Sequence, residues 1–259
     1  MAETVFGNRM TKQNIVIVGA SSGIAKALCA ELAREGNNLV LAGRDVNELH
    51  RAATDLKIRY QREVFVEPFE AGNYDGYQKF WADCVGHFAD GLHGVVVCHG
   101  VLPDQAEAQR NISTLRQSLD VNFISAAAIL EVAAAYFEGR KNGFLAAISS
   151  VAGDRGRQSN YSYGAAKAGL TAYLQGLRNR LQHSGVHVLT VKPGFVATRM
   201  TEGKVNPKSP LLAQPEKVAG QIAKAISRRK NVVYTPHIWW VIMSIICAIP
   251  ETIFKRLKL

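Results

Sequence analysis

Cysteine is scarce in this 259-residue chain: Cys29, Cys84, Cys98 and Cys247 form no CxxC pair and have no histidine at metal-ligand spacing. That excludes a disulfide framework and a zinc finger, and predicts four small buried hydrophobes in a reducing compartment, with no bound metal. The first ten residues, MAETVFGNRM, lack the apolar stretch of a secretory leader, so the expected location is cytoplasmic. No repeat, low-complexity tract or composition break divides the chain, which reads as one domain. Long apolar runs are also missing. The greasy C-terminal stretch from Ile238 to Pro250 has 13 residues, against roughly 20 for a membrane span.

Acidic residues are the scarcer charge, 21 Asp and Glu against 31 Lys and Arg, for a net charge of +10. The basic residues concentrate in SRRK (Ser227 to Lys230) and KRLK (Lys255 to Lys258), which bracket the apolar tail. No helix-turn-helix or finger pattern accompanies them, so nucleic acid is not an expected partner. A generally basic solvated surface and an anionic membrane surface remain as readings.

What is present is alternation. NIVIVGA, NLVLAGR, REVFVEPF, GVVVCHG, AAISSVAG and HVLTVKPG read as buried strands, separated by helical patterns such as GIAKALCAELAREG and VNELHRAATDLKIRY. Continuous apolar strands with helices between them predict an α/β fold, a parallel sheet covered on both faces in doubly wound, Rossmann order. The catalytic domain is expected over 1–237, with a substrate loop at about 199–215. Residues 238–259 are expected to form an apolar and basic amphipathic helical extension of the same domain.

The first strand runs into GASSGIA. Gly19 allows the tight turn, Gly23 lets backbone N–H groups approach a pyrophosphate at a helix N-terminus, and Ala25 replaces a third glycine. Gly19, Ser21, Ser22, Gly23 and Ile24 are therefore candidate dinucleotide contacts; a plain strand-to-helix turn is the alternative. The second strand ends in Arg44 where an acidic residue would hold a ribose 2′-hydroxyl. An arginine there suits a 2′-phosphate, so NADP is expected, with NAD as the alternative and a solvated arginine as the bland one.

Tyr163 and Lys167 lie four apart in a helix-forming stretch and share one face. A nearby ammonium favours the phenolate, so the lysine is expected to lower the tyrosine's pKa from about 10 toward neutrality. Ser150, 13 residues before Tyr163 at a strand's carboxyl end, can reach the same cleft and hydrogen-bond a carbonyl oxygen. With SSVAG upstream, the glycine turn and KPG downstream, the chain from Ile15 to about Met200 resembles the short-chain dehydrogenase/reductase family. The resemblance implies a catalytic set of Asn122, Ser150, Tyr163 and Lys167. Asn122, Tyr163 and Lys167 would also touch the cofactor, as would Gly100 and the Pro193, Gly194, Val196 and Thr198 of PGFVATRM. Ser149 is the runner-up to Ser150, one residue too early for the family's spacing. Tyr161 is a decoy, because Ala165 stands four residues on. Two departures stand out: Val18 replaces the usual threonine, and Cys98-His99-Gly100 replaces Asn-Ala-Gly. For His99 a structural or cofactor-edge role is expected, with acid–base chemistry the alternative.

HGVLPDQ, GDRGRQSNYSYGAAKAGL, KPGFVATRM and the terminal IPETIFKRLKL are similar to one membrane-associated subgroup, the decaprenylphosphoryl-2-keto-β-D-erythro-pentose reductases and their bacterial relatives. The resemblance implies a ketoreductase acting on a polyprenyl-phosphate-linked keto-pentose at the inner face of the membrane, as a homodimer or homotetramer. Arg155 and Arg157 become candidates for the lipid phosphate, with solvated loop arginines as the equal alternative. The same mechanism on another lipid-like ketone, of ketosphinganine or steroid type, is the second reading, and a non-enzymatic nucleotide-binding scaffold the third.

Overall fold

In a computed structural model, residues 12–257 are described. The N-terminal residues read above for a leader, and Lys258 of the last basic cluster, lie outside them. The chain alternates β1 (Asn14–Val18), α1 (Gly23–Arg34), β2 (Asn38–Gly43), α2 (Val46–Tyr60), β3 (Val64–Pro68) and α3 (Tyr77–Gly86). Then come β4 (Gly94–Val97), α4 (Gln105–Arg110), α5 (Ile112–Leu119), α6 (Ser125–Arg140), β5 (Phe144–Ile148) and α7 (Tyr161–Leu181). The last third holds β6 (His187–Pro193), α8 (Pro215–Ser227), β7 (Val232–Thr235), α9 (Ile238–Ala248) and α10 (Glu251–Phe254).

All seven strands are parallel, in the order β3-β2-β1-β4-β5-β6-β7. The order reverses between β1 and β4, which opens a crevice at the strands' carboxyl ends. Alternation along β1 splits the core. Ile15 and Ile17 face a layer built from α1, α2 and α8, whereas Val16 and Val18 face α3, α6 and α7. The central strands β1, β2, β4 and β5 are buried on both faces, which is why they read as nearly continuous apolar runs, whereas β3 at one edge is half-buried and carries Glu67.

β7 was not expected. Val232 to Thr235 is too short to stand out and is cut off by Pro236, yet pairing Val233 with Val191 extends the sheet. The helical stretch Ile112–Arg140 is long and apolar enough to cross a bilayer, but its α6 half buries Ile129, Leu130, Ala133 and Phe137 against the sheet. α9 has 11 residues, about 16 Å of helix against a hydrocarbon core of about 30 Å.

The tail divides by face. Trp239 and Met243 are buried on Val151, Phe195, Leu211 and Tyr234, with Ile242 and Ile246 beside them. Ile238, Trp240, Val241 and Ile245 are exposed on the other side. Cys29, Cys84 and Cys98 are buried as expected; Cys247, at the end of α9, is exposed.

Candidate active site

The site is assembled by close backbone packing of two segments. The turn Val151–Gly153, capped by the Ser150 hydroxyl accepting from Ala152 N–H at 3.1 Å, lies directly on α7. A Cβ on Gly153 would stand 2.7 Å from the Lys167 carbonyl carbon, so only glycine allows this approach. The first turn of α7 is held from outside by Gln105, whose side chain accepts from Ser162 N–H and donates to the Ser162 hydroxyl, both at 2.9 Å. Ser150, Tyr163 and Lys167 are thereby brought together. Ser149 is spent elsewhere: its buried hydroxyl donates to the Lys167 carbonyl at 2.9 Å and meets the Thr171 hydroxyl at 2.7 Å. Tyr161 is exposed at the surface.

Lys167 is buried, and its ammonium donates to the Ile148 carbonyl at 2.9 Å, 5.8 Å from the centre of the Tyr163 ring. Burial pulls its pKa down to about 8. The expected lowering of Tyr163 does not occur. Burial pushes the phenol up to about 12 and the nearby Ser150 hydroxyl opposes this only in part. Desolvation of the phenolate outweighs a lysine that is itself desolvated and tied to a carbonyl.

Asn122 sits in a single π-helical turn, Asp120–Ile124, between α5 and α6. Its amide is fully engaged: Nδ2 donates to Val101 O at 2.8 Å and Ser118 O at 2.9 Å, and Oδ1 accepts from Val101 N–H at 3.0 Å. It therefore pins the segment after β4, whose Gly100 lies against Asn122 Oδ1 and Lys167 Nζ. His99 also serves structure. Its Nε2 meets the Ser125 hydroxyl at 2.8 Å, and burial with Lys167 nearby lowers its pKa to about 3. It is neutral at ordinary pH and unsuited to proton exchange there.

The dinucleotide candidates line the carboxyl ends of β1, β2, β4 and β6. Gly19 has φ +82°, and a Cβ would meet His99 N at 2.5 Å. The Ser22 hydroxyl caps α1 by accepting from Ala25 N–H, leaving the first-turn N–H groups of Gly23 and Ile24 for an anion. Ser21 is half-buried beside Gly43, and Arg44 is exposed at the end of β2. These residues fit a phosphorylated dinucleotide. Thr198 packs on Gly23, but the Val196 side chain is buried in the core, so only its backbone can face a ligand. The 199–215 loop is latched by Lys204, which donates to the Leu102 carbonyl at 2.8 Å.

Two findings were not legible in the sequence. The Arg155 guanidinium donates to the carbonyls of Ile246 (2.8 Å), Cys247 (3.2 Å) and Ile249 (2.6 Å), pairs with Glu251 at 2.9 Å and stacks 3.7 Å above the Phe254 ring. It caps the end of α9, which corrects its assignment as a phosphate ligand. Arg157 is half-buried with its Nε unpartnered among the described residues. Second, the Trp239 indole lies on Gly194, where a Cβ would approach Nε1 to 1.8 Å. Beneath α9, Asp154 joins the Lys192 ammonium and accepts from the Tyr234 hydroxyl at 2.9 Å.

The chain is 32% identical over 246 residues to an uncharacterized oxidoreductase of Mycobacterium tuberculosis, covering 94% of this chain and 96% of that one. An uncharacterized oxidoreductase of Streptomyces coelicolor is 31% identical over 248 residues, 95% and 96% of the two chains. Among solved structures, a short-chain dehydrogenase from Sphingobium yanoikuyae in complex with NADPH superposes with a TM-score of 0.77 at 20% identity, covering 92% of this chain and 97% of that chain. An alcohol dehydrogenase from the archaeon Thermococcus sibiricus complexed with 5-hydroxy-NADP gives 0.77 at 20%, over 86% and 96%. These two share the fold. Residues 13–209 match the family described as short chain dehydrogenase, and with this sheet order and the Ser150, Tyr163 and Lys167 cluster the chain belongs to that family of NAD(P)-dependent oxidoreductases.

Proposed function

We propose that the chain is an NADP-dependent ketoreductase that works at a membrane surface on a lipid-linked ketone, a polyprenyl-phosphate-linked keto-pentose being the first candidate. The observation that carries this reading is the two-faced α9. Its inner face packs on Gly194 and Val151, next to the residues assigned to chemistry, while its outer face is apolar and carries no charge. An outer face of this kind, followed by Lys255 and Arg256, suits the interface of an anionic bilayer.

A nicotinamide held at the carboxyl ends of β1 and β4 would supply the hydride. Ser150 holds the ketone oxygen by a hydrogen bond. Tyr163, protonated far above neutrality with its pKa at about 12, gives that oxygen a proton as negative charge develops. A protonated phenol suits the reductive direction. Lys167 stands behind Tyr163 and Asn122 positions the Gly100–Val101 segment. Arg44 is assigned to the 2′-phosphate, a reading supported by its exposure at the end of β2.

With Arg155 committed to α9, Arg157 is the arginine left near the cleft for a substrate phosphate. The same fact favours a second reading, an uncharged lipid ketone that needs no phosphate grip. Steady-state assays on a lipid-linked keto-pentose and on ketolipids, with wild type and Arg157→Ala, separate them. The first reading requires Arg157→Ala to raise KM only for the phosphate-bearing substrate. For the membrane, Trp240→Glu with Ile245→Glu changes exposed positions only. The doubly changed protein should lose co-sedimentation with anionic vesicles while keeping its circular dichroism. Equal sedimentation of both proteins at low salt refutes the anchor.

A further inference from the structure

At the amino end of the sheet, two adjoining cavities of about 170 and 190 Å³ share His187 and Arg229. His187 opens β6 and Pro193 closes it, so the seven-residue strand puts these cavities about 20 Å from the Ser150 region. Arg178, Gln182 and Asn231 line the first, and His93, Asn142 and Ser227 the second. Among the described residues, no Asp or Glu lines either one.

His187 is only 7% exposed, and its Nε2 has no hydrogen-bond partner among the described residues. The Lys230 backbone lies beside the ring. A buried nitrogen left unmet costs on the order of 1–3 kcal/mol and calls for an explanation. The neighbouring guanidiniums are half engaged. Arg178 donates from Nε to Val188 O at 3.0 Å and from Nη2 to Thr190 Oγ1 at 2.8 Å and Asn231 O at 2.7 Å, which leaves Nη1. Arg229 donates from Nη2 to Gly185 O at 2.8 Å, which leaves Nε and Nη1.

We infer that this acid-free double cavity is a binding site for a small soluble oxyanion of the phosphate class, held by Arg229, Arg178 and Nε2 of His187. At about 30 Å³ per water, either chamber holds several waters or one tetrahedral oxyanion. β7 lies between this site and α9, so the occupant is a soluble anion and not a headgroup of the bilayer proposed to meet the tail.

The groups facing His187 are Arg178 from α7, Arg229 and the Lys230 backbone from the turn after α8, and His93 before β4, itself 3.9 Å from Asp90. Burial, then Arg229 and Arg178, hold the imidazole neutral, with its pKa down to about 4. A dianion between the arginines reverses the local sign and favours the imidazolium, turning Nε2 from a bare acceptor into a donor. Binding then takes up a proton and tightens as pH falls.

Isothermal titration of the full chain with sulfate, whose charge is constant between pH 6 and 8, tests this, with inorganic phosphate alongside. Wild type and Arg44→Ala should bind sulfate equally, at least threefold more tightly at pH 6 than at pH 8. Arg229→Gln, at an exposed position, should weaken binding tenfold or more. His187→Gln, checked for folding by circular dichroism, should lose the pH dependence. The inference is overturned by the absence of saturable binding of either anion, or by binding that Arg44→Ala removes and Arg229→Gln does not. Loss of anionic-vesicle binding in Arg229→Gln also overturns it, because the occupant would then be a lipid headgroup.

Discussion

Arg155 gives the sharpest test of how the tail is held. Replacing it with alanine removes three hydrogen bonds to the closing carbonyls of α9, an ion pair with Glu251 and the stack on Phe254. The Glu251 side chain is 74% exposed, so that pair adds at most about 1 kcal/mol. A charged donor on backbone carbonyls is worth about 1.5–3 kcal/mol, a cation at a helix C-terminus about 0.3–2, and a half-desolvated cation–π contact about 1. These overlap, because one guanidinium makes all of them, and a loss of about 3 kcal/mol is expected. In a domain of this size 1 kcal/mol moves the melting midpoint by about 2–4 °C, so Arg155→Ala should melt about 6–12 °C lower. Amide exchange should show where the loss falls, with protection fading first over α9 and α10. Arg155→Lys should recover less than half, since an ammonium cannot reach three carbonyls and stack on a ring. A midpoint within 2 °C of wild type, with unchanged protection of α9, would refute the argument.

Tyr163→Phe should lower turnover by about 10²–10⁴-fold while dinucleotide binding persists, as read by steady-state kinetics and calorimetry. Arg44→Ala should weaken NADPH far more than NADH in calorimetric titrations; equal losses would reduce Arg44 to a surface residue. Gly194→Ala should unseat Trp239, seen as a red-shifted tryptophan emission and a lower melting temperature. His99 and His187 are neutral in the fold, with pKa values of about 3 and 4 against 6.5 when unfolded. The unfolded chain takes up those protons first, so stability is full above pH 6.5 and falls toward pH 4, by up to about 1.4 kcal/mol per pH unit per histidine. His99→Gln should flatten that acid limb in melts run from pH 7 to 4.

The alternation from β1 to β6 was legible because strands buried on both faces are mainly apolar, and glycines or polar turns mark their ends. β7 escaped because VVYT carries too little pattern of its own and owes its pairing to β6. Within the site, helical spacing put Tyr163 and Lys167 on one face and Ser150 stood at a strand end, but it was the resemblance to the short-chain dehydrogenase/reductase family that singled them out. The sense of the tyrosine's pKa was not, since it depends on how much water the packed turn excludes. Arg155 was misread for a related reason: its partners lie some 90 residues on, and a local motif carries no sign of where α9 docks. The His187 cavity has the same character, joining the amino ends of five strands and the ends of two helices that no single stretch of sequence describes.

The strand order also sets a timetable. β1 lies inside the sheet, the strands from β4 to β7 are added outward one at a time, and α9 seats on surfaces from β6, β7 and the turn after Ser150. On the ribosome, α9 is therefore made after every surface it packs on. At about 5–20 residues per second, Ile238 follows Val151 by several seconds, time for the domain's earlier units to collapse. Trp239 and Met243 then emerge toward a seat already synthesised, so this apolar segment need not wait for a partner.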